Sequence, residues 1–308
     1  MQEKCMDKIT EIPNCENWQR IERINKGWSD DVKYHVIDKD GNELLLRLSD
    51  ISKFDNKQAE YNFIKLINKL GFSMSEAVDF GVCNGGKSTY MLLSWVDGKS
   101  LDECISSFPI MEQYELGIKA GRILKQIHSI PVNDNLPFHW ETKMKNKIVS
   151  RINDYKTSDY RVKGDETAIL YVRENIKLID NVKKVYQHGD FHMGNLVLTD
   201  DKNVGVIDFN RWDIGDFVEE FYKTQSFDRE SSIPFARGKI DGYFDNIPPL
   251  EFWERHALYV AYSSLFSIIW SIPFGKSDVE SMITRCQMAL NDYDNFNIII
   301  PRWYKNIL

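Results

Sequence analysis

The chain has 308 residues, 43% of them hydrophobic and 28% charged, and a formal net charge of −7. That length and apolar content suit one large or two modest globular domains and exclude a disordered tail or a small stapled scaffold. The negative charge argues against a grip on a nucleic-acid backbone, which needs clustered Lys and Arg, and it leaves room for a cationic small partner.

Five cysteines, at positions 5, 15, 83, 104 and 286, are odd in number and lack the spacing of a zinc or redox motif. Reduced thiols and a cytoplasmic location are therefore expected. The N-terminal "MQEKCMDKITEIP" has no apolar core of the signal-peptide kind.

In chain order, the first part reads as β-rich. "INKGWSDD" (24–31) is a polar loop, and "VKYHVI" (32–37) and "ELLLRL" (43–48) flank the turn cluster "DKDG", which predicts a hairpin. "DNKQAEYNFIKLINKLG" (55–71) repeats Ala59, Phe63, Leu66, Ile67 and Leu70 at helical spacing, with Gly71 as a stop. "STYMLLSWV" (88–96) reads as a strand that runs into the turn "DGKSL". From there long helical stretches take over, "YELGIKAGRILKQIHSIP" (114–131) being the clearest. The domain boundary is placed near residue 97, giving an N-terminal unit of 1–97 and a C-terminal unit of 98–308. "KTSDYRVKGDE" (156–166) is polar enough for a mobile surface loop. "ALYVAYSSLFSIIWSIPF" (257–274) carries no charge, but its four Ser, its two Tyr and a late Pro favour a buried core helix over a membrane span.

Two charges contradict their surroundings. Alternation puts Leu44, Leu46 and Leu48 on one sheet face and Arg47 on the other, while Glu60 shares the inward helical stripe of Phe63, Ile64 and Ile67. A buried carboxylate without a cation is costly, so the simplest arrangement pairs Glu60 with Arg47 and turns the cation toward a cleft able to take phosphates. A solvent-facing Arg and a Glu at the stripe's edge is the plainer alternative.

The densest chemistry lies in "VYQHGDFHMGNLVLTDDKNVGVIDFNRWDIGD" (185–216). "NLVL", the turn "TDDKN" and "VGVIDF" predict a tight hairpin that brings Asn195 close to Asp208, with Asp190 on the loop before it. Three oxygen-bearing side chains then converge, which suits Mg²⁺, an ion that takes few protein oxygens and completes its shell with water and substrate phosphate. This is a phosphoryl-transfer layout. Two rivals stand beside it. His188, Asp190 and His192 could be ligands of a hydrolytic transition-metal centre, though His35, His128, His139 and His256 are isolated and offer no further cluster. A nucleotide-binding pseudokinase would have no use for an intact Asp190, Asn195 and Asp208.

"HGDFHMGN" (188–195) followed by "VIDF" (206–209) resembles the H-G-D-x-H-x-x-N and I-D-F/W motifs of the aminoglycoside phosphotransferase and choline kinase family. "LLLRL", "AEYNFIKLI", "YMLLSWVDGKSL", "GRILKQIHSI" and "WDIGDFVEEF" are similar to the family's cation strand, glutamate helix, hinge, Leu/Ile-His helix and G-D-P-x-x-D segment. The resemblance implies an α+β, two-lobed protein-kinase-like fold with a small β-rich N-lobe and a larger, mainly helical C-lobe. It implies transfer of the γ-phosphate of ATP or GTP, with Mg²⁺, to the hydroxyl of a small molecule. An aminoglycoside is the leading acceptor; a choline-like amine, an amino sugar, homoserine or a macrolide is the alternative. No nucleic-acid or membrane partner is implied.

By that resemblance Asp190 orients the acceptor hydroxyl and accepts its proton, Asn195 and Asp208 hold the metal, and Arg47 with Glu60 positions the α- and β-phosphates. Ser94 to Val96 meet the base through backbone groups, and Ser29 in "KGWSDD" covers the phosphates. His188, His192, Asp216 and Glu220 support the catalytic loop. Arg stands at 47 where the family has Lys, and Phe217 and Glu220 stand where it has the Pro and second Asp of G-D-P-x-x-D.

Overall fold

The computed structural model describes residues 9–25, 30–132, 139–245 and 247–305. They form two compact units, one of Met1–Gly98 with Val197–Asn210, the other of Lys99–Leu196 with Arg211–Leu308. The sequence boundary near residue 97 did not anticipate the return of 197–210 to the first unit. That return is held by a parallel bridge between Met74 and Val206, by the Val206 N–H donating to Ser73 O at 2.9 Å, and by the Phe63 and Phe209 rings at 6.1 Å.

The first unit is a five-stranded antiparallel sheet of β1 (Trp18–Ile24), β2 (Val32–Asp38), β3 (Glu43–Asp50), β4 (Ala77–Cys83) and β5 (Ser88–Ser94), in the order β1-β2-β3-β5-β4. The β2–β3 turn forms because the Asp38 carboxylate accepts from the backbone N–H groups of Asp40 and Asn42, both at 2.9 Å, while Gly41 takes φ +84°. Tyr34, Val36, Leu46, Leu48, Tyr90 and Leu92 pack into one core on one face of the sheet. Helix α1 (Phe54–Ile67) buries Glu60, Phe63, Ile64 and Ile67, and Glu60 reaches Arg47 on the sheet face opposite that core. Strands β1 and β4, the two edges, were not read from the sequence.

The second unit is mainly helical: α2 (Ile110–His128), α3 (Trp140–Thr157), α4 (Asp165–Asn175), α5 (Ile233–Phe244), α6 (Leu250–Ser271) and α7 (Lys276–Asp292). Helices α2 and α5 come unusually close through glycines. A Cβ added at Gly121 would lie 2.1 Å from Lys239 O, and one at Gly238 would lie 2.1 Å from Tyr114 O. Helix α6 packs on α3, α4 and α7. It belongs to the one segment, Leu250–Phe274, that is long and apolar enough to cross a bilayer by length and composition among the described residues.

The polar segment 156–166 is pinned, contrary to the mobile loop expected there. The Arg161 guanidinium donates to Ser158 O at 2.9 Å and Lys156 O at 2.6 Å, which satisfies carbonyls at the end of α3, and Tyr155 Oη donates to Asp165 at 2.7 Å. The composition of the loop is polar because its polar groups serve one another.

A buried histidine on α6 makes the fold sensitive to acid. His256 Nε2 donates to Phe221 O at 2.9 Å and its Nδ1 accepts from Tyr293 Oη at 2.8 Å, so the neutral ring is satisfied. Burial first, and the Lys239 charge after it, push its pKa down to about 4 although the Phe221 carbonyl favours the cation. The unfolded ring protonates near pH 6.5, so its contribution is intact above that value and is lost as pH falls toward 4. Between pH 7 and pH 5 that loss is about 2 kcal/mol. Thermal melts of the wild type against His256→Gln, taken across that range, are expected to show a difference that shrinks as pH falls. A constant difference would contradict the assignment.

Candidate active site

Each unit carries some of the residues singled out by the sequence. In the first, Arg47 is only 3% exposed. Its Nε and Nη2 donate to Asp31 Oδ2 at 3.1 and 2.5 Å, and its Nη1 donates to Glu60 Oε1 at 2.5 Å. The pairing of Arg47 with Glu60 is thus as the sequence suggested, with the guanidinium buried. Asp31, absent from the sequence reading, encloses it. Lys57 completes the cluster, donating to Asp31 Oδ2 at 2.7 Å and to Glu60 Oε2 at 3.0 Å. Burial alone would raise the Asp31 carboxyl, yet Arg47 and Lys57 hold it well below the usual carboxylate range.

Asp208 lies in the same unit, after the hairpin of Leu196–Leu198 and Val204–Val206. Its φ is +65°, the left-handed region that costs a residue with a Cβ about 1–2 kcal/mol. One carboxylate oxygen, Oδ2, is 3.4 Å from Lys33 Nζ, while the other, Oδ1, is buried without a hydrogen-bond partner. A buried carboxylate oxygen left without a donor fits a hard divalent cation, for which oxygen is the preferred ligand.

In the segment expected to meet the base, Ser94 to Val96, two backbone donors serve the sheet. The Ser94 N–H donates to Glu76 O at 2.9 Å and its hydroxyl accepts from the Glu76 N–H at 2.8 Å, while the Trp95 N–H donates to Glu43 O at 3.0 Å. Those two donors close the sheet and are engaged before any base arrives. Val96 packs its side chain where Gly205 lacks one. Ser29 lies outside the described residues.

In the second unit the loop of the H-G-D-x-H-x-x-N motif follows the strand Lys184–Gln187, which pairs antiparallel with Asp213–Asp216. Gly189 turns the loop at φ +79°, and a Cβ there would fall 1.8 Å from Arg211 O, so only glycine fits between His188 and Asp190. Glu220, fully buried, accepts from the backbone N–H groups of His188 at 2.8 Å and Gly189 at 2.7 Å and lies 3.2 Å from His128 Nε2. Burial would raise the Glu220 carboxyl, but the contacts from His128 and His188 lower it. His188 is itself fully buried, and its Nδ1 accepts from the Asp190 N–H at 3.2 Å.

Asp190 is gripped on one side. Its Oδ1 accepts from Lys223 Nζ at 2.6 Å and lies 3.6 Å from His192 Nε2, while its Oδ2 lies 3.7 Å from Arg211 Nε among the described residues. Burial opposes ionisation, yet Lys223, His192 and Arg211 together bring the carboxyl down to about 2. The two oxygens are therefore inequivalent, one anchored and one open to a hydroxyl. Asn195 Nδ2 donates to Asp190 O at 2.9 Å, which fixes the amide and leaves its oxygen free of that bond.

The loop is also held from beneath. Asp228, in the π-helical turn Thr224–Asp228, accepts from the Met193 N–H at 2.8 Å and forms a wholly buried ion pair with Lys239, whose Nζ donates to Phe191 O at 3.1 Å. These bonds flank His192, which stacks on Phe227 at 4.7 Å and whose pKa burial lowers to about 4 despite Asp190 and Asp228. Asp216 supports the loop only indirectly. Its carboxylate binds Arg255 Nη1 at 3.1 Å and Tyr259 Oη at 3.0 Å, and its carbonyl accepts from Gln187 Nε2 at 2.7 Å. Burial raises the Asp216 carboxyl to about 6 against the pull of Arg255.

A family model described as the phosphotransferase enzyme family matches residues 20–256, well over half of the chain. The chain belongs to that family. Solved phosphotransferases share the fold. The GDP complex of aminoglycoside 2'-phosphotransferase-IIIa superposes with a TM-score of 0.69 at 14% identity, over 94% of this chain and 97% of that one. Amicoumacin kinase hAmiN, bound to AMP-PNP, Ca²⁺ and Ami, gives 0.65 at 14% over 97% and 94%. A thermostable mutant of aminoglycoside phosphotransferase APH(4)-Ia with ADP and hygromycin B gives 0.66 at 15% over 89% and 94%. At such identities the likeness carries the fold alone: an antiparallel N-terminal sheet and a helical C-terminal region of protein-kinase-like α+β class. A search of curated proteins found no match.

The phosphotransferase fold explains why the hydrolytic metal centre finds no support. Among the described residues no group of three or more His, Cys, Asp or Glu could hold a metal, and the His188 ring is engaged with its own loop. Sequence reasoning missed Asp31, Lys57, Lys33 and Lys223. Lys57 and Glu60 stand three apart on α1, a spacing that places both on one face, so that pair could have been found. Lys223 lies 33 residues from Asp190 with no local signal.

Proposed function

We propose that this phosphotransferase is a small-molecule kinase that transfers the γ-phosphate of ATP or GTP to a hydroxyl, and that the acceptor is an aminoglycoside. The observation that carries the kinase reading is the buried, unpartnered Oδ1 of Asp208 held in a left-handed backbone conformation. A divalent ion, Mg²⁺ in this reading, would supply charge neutralisation at the transferring phosphate. Asp208 and Asn195 are the residues assigned to hold it, the second on the strength of the H-G-D-x-H-x-x-N motif.

Asp190 stays ionised throughout the neutral range, so its open oxygen orients the acceptor hydroxyl and receives the proton as the bond to phosphorus forms. A carboxyl near 2 is a weak base in the ground state, and it takes the proton only as the hydroxyl becomes acidic late in transfer. His188, Glu220 and His128 keep the loop in shape. Arg47 and Glu60 tie β3 to α1 and order the nucleotide side. An Arg47→Ala variant is expected to raise the nucleotide KM at least about tenfold and to lower stability by ~3 kcal/mol, because it leaves two buried carboxylates to Lys57 alone. Initial rates and melts of the variant measure both; unaltered nucleotide kinetics would remove Arg47 from the nucleotide side.

The aminoglycoside assignment is supported by two facts. The net charge of −7 suits a polycation. Relatives of this fold were solved with kanamycin, gentamicin and hygromycin B. A coupled nucleotide-consumption screen with Mg–ATP and Mg–GTP tests the proposal against aminoglycosides, macrolides, amino sugars, choline and homoserine. Stimulation by aminoglycosides is expected. Stimulation by choline, homoserine or a macrolide alone would replace the acceptor, and no stimulation by any of them would move the chain to a nucleotide-binding pseudokinase.

A further inference from the structure

In β2, Lys33 stands directly across from Arg47 in β3. Its Nζ lies 3.4 Å from Asp208 Oδ2, and its side chain keeps 14% of its surface exposed against 3% for Arg47. The charges around it divide into two sets. By hydrogen bonds Arg47 and Lys57 each bridge Asp31 and Glu60, two cations against two anions, and the Asp208 charge also acts on Arg47. Lys33 and Asp208 remain, joined by a contact at the long end of hydrogen bonding.

We propose that Lys33, rather than Arg47, is the cation that grips the nucleotide's phosphates. The inference rests on the kinase reading above. A planar guanidinium presents a fork that matches carboxylates two bonds at a time, which is how Arg47 is used here. Its enclosure by Asp31 and Glu60 leaves little charge for a further anion. Lysine is a point donor with three N–H bonds on a flexible stem, suited to phosphate oxygens. A divalent ion on Asp208 would neutralise the carboxylate that Lys33 Nζ contacts among the described residues, and would leave an ammonium group free for phosphate oxygens. The Arg at 47, in this chain, is then a structural brace, and the anchoring charge has moved one strand over in the sheet.

Binding measured by calorimetry separates this role from the alternatives without any turnover. The probes are Mg–ATP or Mg–GTP, whichever the wild type binds, and the matching nucleoside without phosphates. For Lys33→Met the triphosphate is expected to bind roughly tenfold or more weakly, since a charge-assisted bond to phosphate is lost. The nucleoside should bind within about twofold of wild type, and Lys33→Arg should recover part of the loss. Lys33→Gln repeats the test should the methionine variant fold poorly, with melting curves as the check. Triphosphate affinity equal to wild type would overturn the proposal, as would an equal loss for the nucleoside. A change confined to metal affinity would make Lys33 a partner of Asp208 alone and would also overturn it. If the wild type binds neither triphosphate, the kinase reading fails first and is seen to fail separately.

Discussion

Replacing Asp190 with Asn lowers acceptor-dependent turnover by at least ~10²-fold and leaves nucleotide binding in place. The amide keeps the shape of the side chain but cannot take the proton. Asn is the better probe than Ala, because Lys223 is buried against Asp190 with its side chain only 6% exposed. Both changes leave that ammonium without its counter-charge, but Ala also removes the oxygen that accepts its hydrogen bond and so adds a larger stability loss that would obscure the kinetic one. Steady-state rates at saturating nucleotide, together with a direct nucleotide affinity, separate the two effects. Turnover unchanged in Asp190→Asn would mean that another group serves as base, and loss of nucleotide affinity alone would place Asp190 on the wrong side of the reaction.

Asp208→Asn is expected to reduce turnover roughly 10²–10³-fold or more at any attainable Mg²⁺ concentration, since an amide cannot replace a carboxylate's charge at a divalent ion. The same change should leave the fold as stable as the wild type, or up to about 1 kcal/mol more so. It removes a buried charge with an unpartnered oxygen and puts at φ +65° a residue that tolerates the left-handed region well. A variant that is less active and no less stable marks a residue retained for chemistry and not for folding. Activity near wild type, or a large stability loss, would contradict this account of Asp208. Metal titrations of the rate and thermal melts supply the two readouts.

How much of this was legible in the sequence depended on where each residue sits. The hairpin of β2 and β3, helix α1 and strand β5 were read because they fill the middle of the first unit, where burial forces alternation or helical spacing. Strands β1 and β4 escaped because they are the sheet's edges. Arg20, Glu22 and Arg23 in one and Asp79 in the other break the alternation that an edge, with one side open, does not require. The catalytic loop was legible as a motif because its chemistry is local. Gly189, Asp190 and Asn195 lie within seven residues, and each does something its neighbours depend on. The side chains that tune those residues come from far along the chain. Lys223 reaches Asp190 and Lys239 reaches Phe191 O from elements that no spacing rule connects to the loop. Arg47 is the instructive middle case. Its alternation predicted burial and its pairing with Glu60, but Asp31, which binds it from 16 residues upstream, carried no local signal.

The central claim is that a metal on Asp208 serves a nucleotide whose phosphate is delivered to the hydroxyl at Asp190. A crystal structure of the wild type with Mn²⁺ and AMP-PNP tests it most directly, because Mn²⁺ substitutes for Mg²⁺ and scatters anomalously. The account predicts an anomalous peak at about 2.1 Å from Asp208 Oδ1, the distance expected of a small divalent ion on oxygen, with phosphate oxygens sharing that ion. A nucleotide bound with its metal elsewhere, and Asp208 Oδ1 still without a partner, would contradict it.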